Sequence, residues 1–366
     1  MAFRAKTTLS VLSTLAVATM GFAAPASALQ TKSYVVSFFH IATHSDTDAC
    51  PHGLNPEHVE LWTRSLKGLG YSQKDIDELL ISQRKNGKTI QEIVRDRGLK
   101  PGQENIFAYP FSAPDPNLHT VEGRYSYGFN LDGKTDGGFE DPDTHEQGVD
   151  NNLYKAFGCL RPYHVSLPDR PQYENNAWLV LASAMPAWLL SVSGDDLTKD
   201  GPVTVTIARA LEHTMQDARG QTLADSTFRI DPNPRSHNVM RGALKGGTLS
   251  IEPTDIFLEA EPHIISKLHL LQAHLRLTPK PDGNLEGYIG GYTPWFEEYW
   301  AHASNGFDAE ESGIDMPGLY YALQRLADGP VDPKTGERNF ISATWRIELV
   351  PAIVADPHNA LAGLRR

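Results

Sequence analysis

The chain has 366 residues, and its 45 acidic side chains outnumber its 33 basic ones, which gives a formal net charge of −12. This balance argues against nucleic-acid and anionic-membrane partners, because phosphate contacts require clustered Lys and Arg. With 40% hydrophobic and 21% charged residues, the chain is predicted to be folded rather than disordered, and it is long enough to bury a sizeable core.

The first 28 residues have the pattern of a secretory signal peptide. Two basic residues precede an apolar run over residues 9–24, and Ala26-Ser27-Ala28 is a small-residue cleavage site. We therefore expect an exported protein, periplasmic or extracellular, without a membrane span. No Cys follows the small residues, so a lipid anchor is not expected.

Two cysteines, Cys50 and Cys159, follow the signal peptide. An even pair in an exported chain predicts one disulfide, and closing a loop of about 110 residues is worth roughly 4–5 kcal/mol. A pair of metal-ligand thiolates is the alternative, but the close Cys pairs of such sites are absent. The chain also lacks a C-x-x-C-H motif and a phosphate-binding glycine motif, so neither haem nor a nucleotide cofactor is expected.

The mature chain is predicted to begin with a strand and then a helical insert. Residues 29–54 hold a β-branched and aromatic run at 34–39, followed by a loop. Residues 55–101 contain three amphipathic helices; Asn55-Pro56 begins the first, and Thr89 with Glu92 forms a capping box for the third. A packing lid or spacer is the simplest role for this insert.

Residues 102–366 are predicted to form the main β-rich domain, with which the first strand packs. Short strands separated by turn residues favour antiparallel sheets in a sandwich or a barrel over a parallel α/β sheet. Pro-Asp-Gly-Asn at 281–284 predicts a hairpin turn. Two apolar segments predict buried helices, one over 177–193 that continues into a strand and one over 317–327. The expected strands are 120–131, 203–207, 227–230, 248–251, 256–259, 268–277, 285–289 and 341–350.

A glycine-rich acidic stretch between Asp132 and Asp150 is the densest polar feature. Like charges at this density repel one another unless they are neutralised, and Ca²⁺ is a hard cation that takes oxygen ligands. The stretch only partly matches the EF-hand loop, so a calcium loop of another type and a solvated acidic turn are both open. The predicted metal ligands are Asp132, Asp136, Glu140, Asp143 and Asp150.

A second candidate metal site combines histidines near the first strand with one from the acidic stretch. His40 and His44 share a face in an extended strand, and His145 is a possible further ligand of Zn²⁺ or Cu²⁺. Scattered histidines in a polar loop are the alternative interpretation.

Two further segments are candidate ligand-binding sites. Arg235, His237 and Arg241 follow a proline-rich turn and suit a polar or anionic ligand, although they can equally bind loop carbonyls. Trp295 belongs to an aromatic run that also holds Glu297 and Glu298, a combination that suits sugars but is also typical of a core. Adjacent carboxylates point in different directions and cannot by themselves be a catalytic pair.

One resemblance covers most of the chain after residue 120. The segments 128–133 (GFNLDG) and 148–154 (GVDNNLY), followed by Gly158-Cys159, resemble a pattern in uncharacterised secreted bacterial proteins, and the similarity extends to residues 229–242 and 285–295. No activity is assigned to that group, so the resemblance implies no function.

The sequence thus predicts an exported cell-envelope protein that binds a small-molecule or glycan ligand, stabilised by a Ca²⁺-type metal and without demonstrable catalysis. The alternative is a secreted hydrolase that acts on carbohydrate through carboxylates of the acidic stretch or through Glu297 and Glu298. Fold class cannot decide between the two functions.

Overall fold

The computed structural model describes residues 29–96, 105–172, 185–258, 267–304 and 313–355, together with Asn175, Trp178 and Ala182. The predicted signal peptide, residues 1–28, lies outside this part of the chain. The strands of the described residues are β1 Gln30–Ile41, β2 Arg84–Lys85, β3 Lys88–Thr89, β4 Phe139–Glu140, β5 Gln147–Val149, β6 Pro186–Gly194, β7 Gly201–His213, β8 Ser226–Arg229, β9 His237–Lys245, β10 Thr248–Ile251, β11 Thr254–Leu258, β12 Leu268–Pro279, β13 Leu285–Pro294 and β14 Phe340–Ala355.

Eight of these strands close into an antiparallel barrel. Their order is β1-β6-β7-β9-β10-β12-β13-β14, and β14 pairs with β1 to complete the ring. Strand β8 adds in parallel to the end of β14, and β11 pairs with β12 beside the ring. The predicted mainly β, antiparallel fold is therefore confirmed, and of the two forms left open the barrel is the one observed.

The barrel interior is filled with apolar side chains. Because side chains alternate along a strand, one face of each strand points inward and the other points outward. On β14 the outward positions include Arg346 and Glu348, which are partly buried. The inward positions are all apolar and belong to the main core: Ile341, Ala343, Trp345, Ile347 and Leu349.

The connection between β12 and β13 follows the predicted turn chemistry. Strands β12 and β13 pair from Pro279 and Leu285 onward, and the turn between them places Gly283 at φ +87°. Glycine adopts this left-handed conformation without a steric cost, so the hairpin turn predicted at residues 281–284 is confirmed.

Within the described residues, the α-helices whose two ends are both defined fall into two groups. Three of them, with the β2–β3 hairpin, form the helical insert, and three belong to the body of the protein. They are α1 His58–Gly68, α2 Gln73–Ser82, α3 Ile90–Arg95, α4 Asn152–Phe157, α5 Trp295–Ala303 and α6 Met316–Leu326.

The helical insert has a small core of its own. Ser72 caps α2 by accepting a hydrogen bond from the Asp75 amide, and Thr89 and Glu92 form the predicted capping box of α3. Its fully buried side chains come from all three helices: Leu66, Ile76, Leu79 and Ile90.

Helices α4, α5 and α6 pack together next to the start of β14 and extend the main core beyond the barrel. Leu319 and Leu323 of α6 are fully buried, which confirms the buried helix predicted at residues 317–327. Asp315 caps this helix through the Gly318 amide at 3.1 Å. The other predicted buried segment, residues 177–193, is described only in part, because residues 177, 179–181, 183 and 184 lie outside the described residues. Its second half forms the predicted strand, as part of β6.

The prediction of a strand over residues 120–131 is wrong. These residues form single bridges, between Tyr125 and Glu140 and between Phe129 and Asp150, rather than a ladder. The alternating aromatic residues have a different cause, because Tyr127 and Phe129 pack on the outer face of the barrel. We call residues 120–151 the covering segment. Strand β9 and helix α5 were not predicted.

Cys50 and Cys159 form the predicted disulfide, with their Cα atoms 5.8 Å apart. The bond joins the loop after β1 to the residue that follows α4 by two positions. Within the described residues, no helix is both long enough and apolar enough to cross a membrane.

Candidate ligand-binding cleft

Two of the predicted calcium ligands, Asp132 and Glu140, are bound to other side chains of the protein and do not converge on one point. Asp132 binds the Lys134 ammonium at 2.6 Å and accepts a hydrogen bond from the Lys134 amide at 2.9 Å. This pairing lowers the pKa of Asp132. Glu140 accepts a hydrogen bond from Arg124 at 2.5 Å and lies 3.3 Å from His145 Nδ1.

The other three predicted calcium ligands do not converge on one point either. Asp150 accepts hydrogen bonds from the Leu131 and Asp132 amides, and burial raises the pKa of its carboxyl. Asp136 and Asp143 are exposed. In the described part of the chain, no group of three or more His, Cys, Asp or Glu residues is placed to hold a metal ion. The calcium site stays a prediction without geometric support.

Asp141, which was not among the predicted ligands, is the carboxylate that organises the acidic stretch. Its side chain is fully buried and binds Arg276 of β12 at 2.6 Å. It also accepts hydrogen bonds from three backbone amides: Gly128, Asp143 and Thr144. Burial raises the pKa of this carboxyl, but the amides and Arg276 outweigh burial and hold the pKa below its usual value.

The sequence carries one signal for each residue of this pair, although neither signal shows that the two residues meet. Asp141-Pro142-Asp143-Thr144 has the composition of a turn in which an Asp side chain accepts hydrogen bonds from amides two and three residues further on. Arg276 is a charged residue between the apolar, inward-facing Leu275 and Leu277, so it had to point outward.

The three histidines of the second candidate metal site are not brought together. His40 is buried, and its Nδ1 lies 2.7 Å from the Ile41 carbonyl oxygen. Burial, with smaller contributions from two arginines, lowers the pKa of His40 to about 3. His44 packs edge-on against Tyr127, whereas His145 is exposed beside Glu140. The alternative interpretation, separate histidines, fits this arrangement.

The predicted ligand-binding residues also lie apart. His237 and Arg241 are exposed on the same face of β9, and Arg235 stacks over the Phe257 ring at 4.9 Å. Trp295 is the first residue of α5 and is buried, with its ring 5.4 Å from that of Tyr320. The core interpretation of the aromatic run therefore fits Trp295, because a buried indole presents no platform to a sugar.

Glu298 is the one carboxyl of the aromatic run with a strongly shifted pKa. It lies one turn into α5 and accepts a hydrogen bond from the Thr293 hydroxyl at 2.9 Å. Burial raises the pKa of Glu298 to about 7. Its neighbour Glu297 differs from Glu298 because its side chain makes no hydrogen bond within the described residues.

A cleft of about 470 Å³ lies between the helical insert and the body of the protein. One wall is α1 with part of α3, and the other consists of residues 106–116 and 313–317. Its lining is mainly apolar and aromatic: Leu61, Trp62, Val94, Ile106, Phe107 and Met316. Five polar side chains also line it: His58, Arg64, Ser65, Gln91 and Asp315.

The two walls are joined by polar and close-packed contacts. Arg64 of α1 forms an ion pair with Asp315 at the start of α6. Gly313 approaches the first residue of α1 so closely that a Cβ added to the glycine would lie 2.7 Å from the His58 amide nitrogen. This approach requires glycine, which also sits at φ +67°.

The chain that enters α1 is tied to the body as well. The Asn55 side chain donates hydrogen bonds to the carbonyls of His119 and Cys159 and accepts one from the His119 amide. Glu57 forms an ion pair with Arg161, and the disulfide is a few residues away. One side of the cleft is thus held in place at several points.

A second cavity, of about 160 Å³, lies at the barrel end away from α4, α5 and α6. Tyr34, Leu277 and Leu285 form part of its lining, with Lys32 and Lys199 at its rim. It is smaller than the ~300–1,000 Å³ that is usual for organic ligands. Sequence reasoning missed both cavities, because each is assembled from segments far apart in the chain.

Comparison with known proteins returned no relative: no protein-family model, no curated protein and no solved structure matches this chain.

Proposed function

We propose that the protein is an exported ligand-binding protein of the cell envelope and that its ligand is a small aromatic or aliphatic carboxylate. The observation that carries the proposal is the cleft between the helical insert and the body. Its volume of about 470 Å³ falls within the ~300–1,000 Å³ range of small-molecule sites.

The lining of the cleft favours a ligand that is mostly apolar. Trp62 and Phe107 offer ring faces and edges, and Val94, Ile106 and Met316 complete an apolar wall. Removing an apolar group from water contributes about 25 cal/mol for each Å² buried. An aromatic ring or a short alkyl chain therefore fits this part of the cleft better than a sugar, which would leave hydroxyl groups unpaired.

The polar residues of the cleft favour an acceptor at one end of the ligand. Arg64 carries five N–H donors and has one ion-pair partner, Asp315, so donors are left for a ligand oxygen. Gln91 and Ser65 add further donors. A carboxylate suits these groups, because planar guanidinium groups bind carboxylates in a two-point geometry.

Export is supported by the amino-terminal apolar run with its small-residue cleavage site and by the disulfide, since such bonds persist in oxidising compartments. Calcium binding by the acidic stretch is not part of this proposal, and ligand binding in the cleft does not need it.

Titration calorimetry with 3-phenylpropionate and octanoate tests the proposal. Ligands of this size are expected to bind with dissociation constants of about 10 µM–1 mM, whereas acetate and octylamine should not bind. Ser65→Phe, which fills the cleft, should abolish binding, and Lys67→Phe, on the exposed side of α1, should retain it. Absence of heat with both acids, or equal binding to Ser65→Phe, would contradict the proposal.

One observation favours the alternative, a carbohydrate hydrolase. A carboxyl with a pKa of about 7, as Glu298 has, is suited to act as a general acid at neutral pH. A turnover screen on glycan substrates tests this function. Hydrolysis that is lost in Glu298→Gln and kept in Glu297→Gln would support it, and no turnover on any glycan would end it.

A further inference from the structure

Ser45 and His164 meet in space although 119 positions separate them in sequence. Ser45 lies in the loop after β1, and His164 follows α4 and the disulfide. The Ser45 hydroxyl is 2.8 Å from His164 Nε2, and both residues are part-buried. This is the contact that a nucleophile and its general base require.

The second ring nitrogen of His164 fixes the proton arrangement. His164 Nδ1 lies 3.0 Å from the Gly158 carbonyl oxygen. A carbonyl oxygen only accepts hydrogen bonds, so in the neutral ring Nδ1 carries the proton and Nε2 presents its lone pair to Ser45. That tautomer is the one that accepts a proton from serine.

The surroundings hold both groups in position. Ser166 donates to the Ser45 carbonyl at 2.8 Å and accepts from the Ser45 amide at 2.6 Å. Gly158 precedes the disulfide residue Cys159, and a Cβ at Gly158 would lie 2.5 Å from the Tyr154 ring. The carbonyl that orients the imidazole therefore belongs to a tightly packed, cross-linked part of the backbone.

We propose that Ser45 and His164 form a catalytic pair that hydrolyses uncharged esters of short-chain acids. The amides of Asp46 and Thr47 follow Ser45 and donate no hydrogen bond within the described residues, and the proposal assigns them to the substrate carbonyl oxygen. Asp46 and Asp48, one and three positions after Ser45, carry negative charge on the same loop, which disfavours anionic esters. This activity is independent of ligand binding in the cleft.

In the proposed reaction the Ser45 oxygen adds to the ester carbonyl carbon while its proton passes to His164 Nε2. Collapse of the tetrahedral intermediate breaks the acyl carbon–oxygen bond, and the proton on Nε2 goes to the departing alkoxide. Water then attacks the acyl group on Ser45 and gives up a proton to Nε2, which returns it to the serine oxygen. One ester and one water thus become one acid and one alcohol.

An alkyl fluorophosphonate and p-nitrophenyl acetate test the pair on the mature chain with its disulfide intact. Mass spectrometry should find the phosphonyl adduct on the peptide that contains Ser45, and this readout needs no variant. Hydrolysis of the acetate should fall about 100-fold or more in Ser45→Ala and in His164→Asn, while Ser112→Ala, which removes an exposed hydroxyl, should keep it. Melting curves verify that the variants are folded.

Absence of an adduct on Ser45 would overturn the proposal. So would an adduct that forms equally fast in His164→Asn, or acetate hydrolysis that Ser45→Ala leaves unchanged.

Discussion

Strand β14 and the covering segment lie against each other, but different interactions determine their structures. Along β14, every second side chain is apolar and faces the barrel core. In the covering segment the backbone forms few ladders, and polar contacts hold it to the barrel: Asp141 binds Arg276, and the Asn151 side chain accepts a hydrogen bond from the Thr344 amide at 3.2 Å. The barrel is therefore specified by local alternation, and its cover is specified by contacts over more than a hundred positions.

The largest expected effect is on the disulfide, which joins the loop after β1 to the chain that follows the covering segment and α4. Replacing both Cys50 and Cys159 by Ala should lower the free energy of unfolding by about 4–5 kcal/mol, because the unfolded chain regains the freedom of a loop of about 110 residues. Urea unfolding of the oxidised protein and of the double variant measures the difference.

Dithiothreitol is the control for this experiment, since it should destabilise the natural chain and leave the double variant unchanged. A loss of less than about 1 kcal/mol would mean that the disulfide contributes little to the stability of the folded chain.

The next largest effect is expected for the buried ion pair between Asp141 and Arg276, and an arginine on the protein surface is the comparison. Arg276→Met should destabilise the protein by about 3–5 kcal/mol, because the buried Asp141 carboxylate loses its counter-charge. Adding Asp141→Asn should recover part of this loss. Arg241→Met, on the exposed face of β9, should change stability by less than about 0.5 kcal/mol. If the two arginine substitutions changed stability equally, the contact between Arg276 and the covering segment would contribute no more than a charge on the protein surface.

The same pair gives a pH dependence with a definite sign. The pKa of Asp141 is lower in the folded protein than in the unfolded chain, so its contribution is present at neutral pH and is lost as the pH falls through the folded-state value. The melting temperature of the natural chain should fall on acidification more steeply than that of the Asp141→Asn, Arg276→Met double variant.

These interactions explain which parts of the structure were predictable. Apart from β9, the strands that line the barrel follow from apolar and β-branched runs, and the hairpin turn at residues 281–284 follows from its turn residues; both signals act over a few positions. The disulfide followed from the count of cysteines. In contrast, residues 120–131 alternate like a strand, yet their aromatic side chains alternate because they cover the barrel. The partner of Asp141 and the walls of the cleft depend on tertiary contacts that no local pattern encodes.

Substitution of two glycines of the covering segment tests whether close packing or turn geometry alone determines its backbone conformation. Gly133 and Gly148 have nearly equal φ values, +76° and +75°. A Cβ at Gly133 meets nothing within 4 Å, whereas a Cβ at Gly148 would collide with the Lys134 carbonyl oxygen and lie 2.9 Å from the Asn130 side chain.

Gly133→Ala should therefore cost about 1–2 kcal/mol, the cost of the left-handed conformation alone. Gly148→Ala should cost about 1–3 kcal/mol more, because backbone must move to admit the methyl group. Thermal unfolding of both variants measures the difference. Equal losses would show that the cover is loosely packed at this position.

A smaller effect is expected at α5, where the body of the protein holds a carboxyl with a raised pKa. The pKa of Glu298 is about 7 in the folded protein, above its value in the unfolded chain. The folded state therefore binds a proton that the unfolded state has released, and stability falls as the pH rises from about 4.5 to 7.

Glu298→Gln should leave stability nearly unchanged at pH 4 and raise it at pH 8 by about 1–2 kcal/mol, roughly half of the full value of the pKa shift, because the side chain is only partly buried. The glutamine oxygen can still accept the hydrogen bond from Thr293. Glu297→Gln removes a charge from the same turn and is the matched control. A gain that is equal at both pH values would rule out ionisation of Glu298 as the cause.

The smallest expected effect concerns calcium and returns to the cover. Lys134 binds Asp132, Arg124 binds Glu140 and Arg276 binds Asp141, so three carboxylates of the acidic stretch already have cationic partners. Because a Ca²⁺ ion needs six to eight oxygen ligands that converge on one point, binding would require these pairs to break. We therefore expect the melting temperature to be the same in EDTA and in millimolar CaCl₂.

A calcium site with free Ca²⁺ at a hundredfold excess over the dissociation constant would instead add about 2.7 kcal/mol to the free energy of unfolding. A rise of several degrees that is lost in the Asp132→Asn, Asp136→Asn double variant would confirm the calcium prediction, and it would mean that the covering segment adopts a second, metal-bound arrangement of its carboxylates.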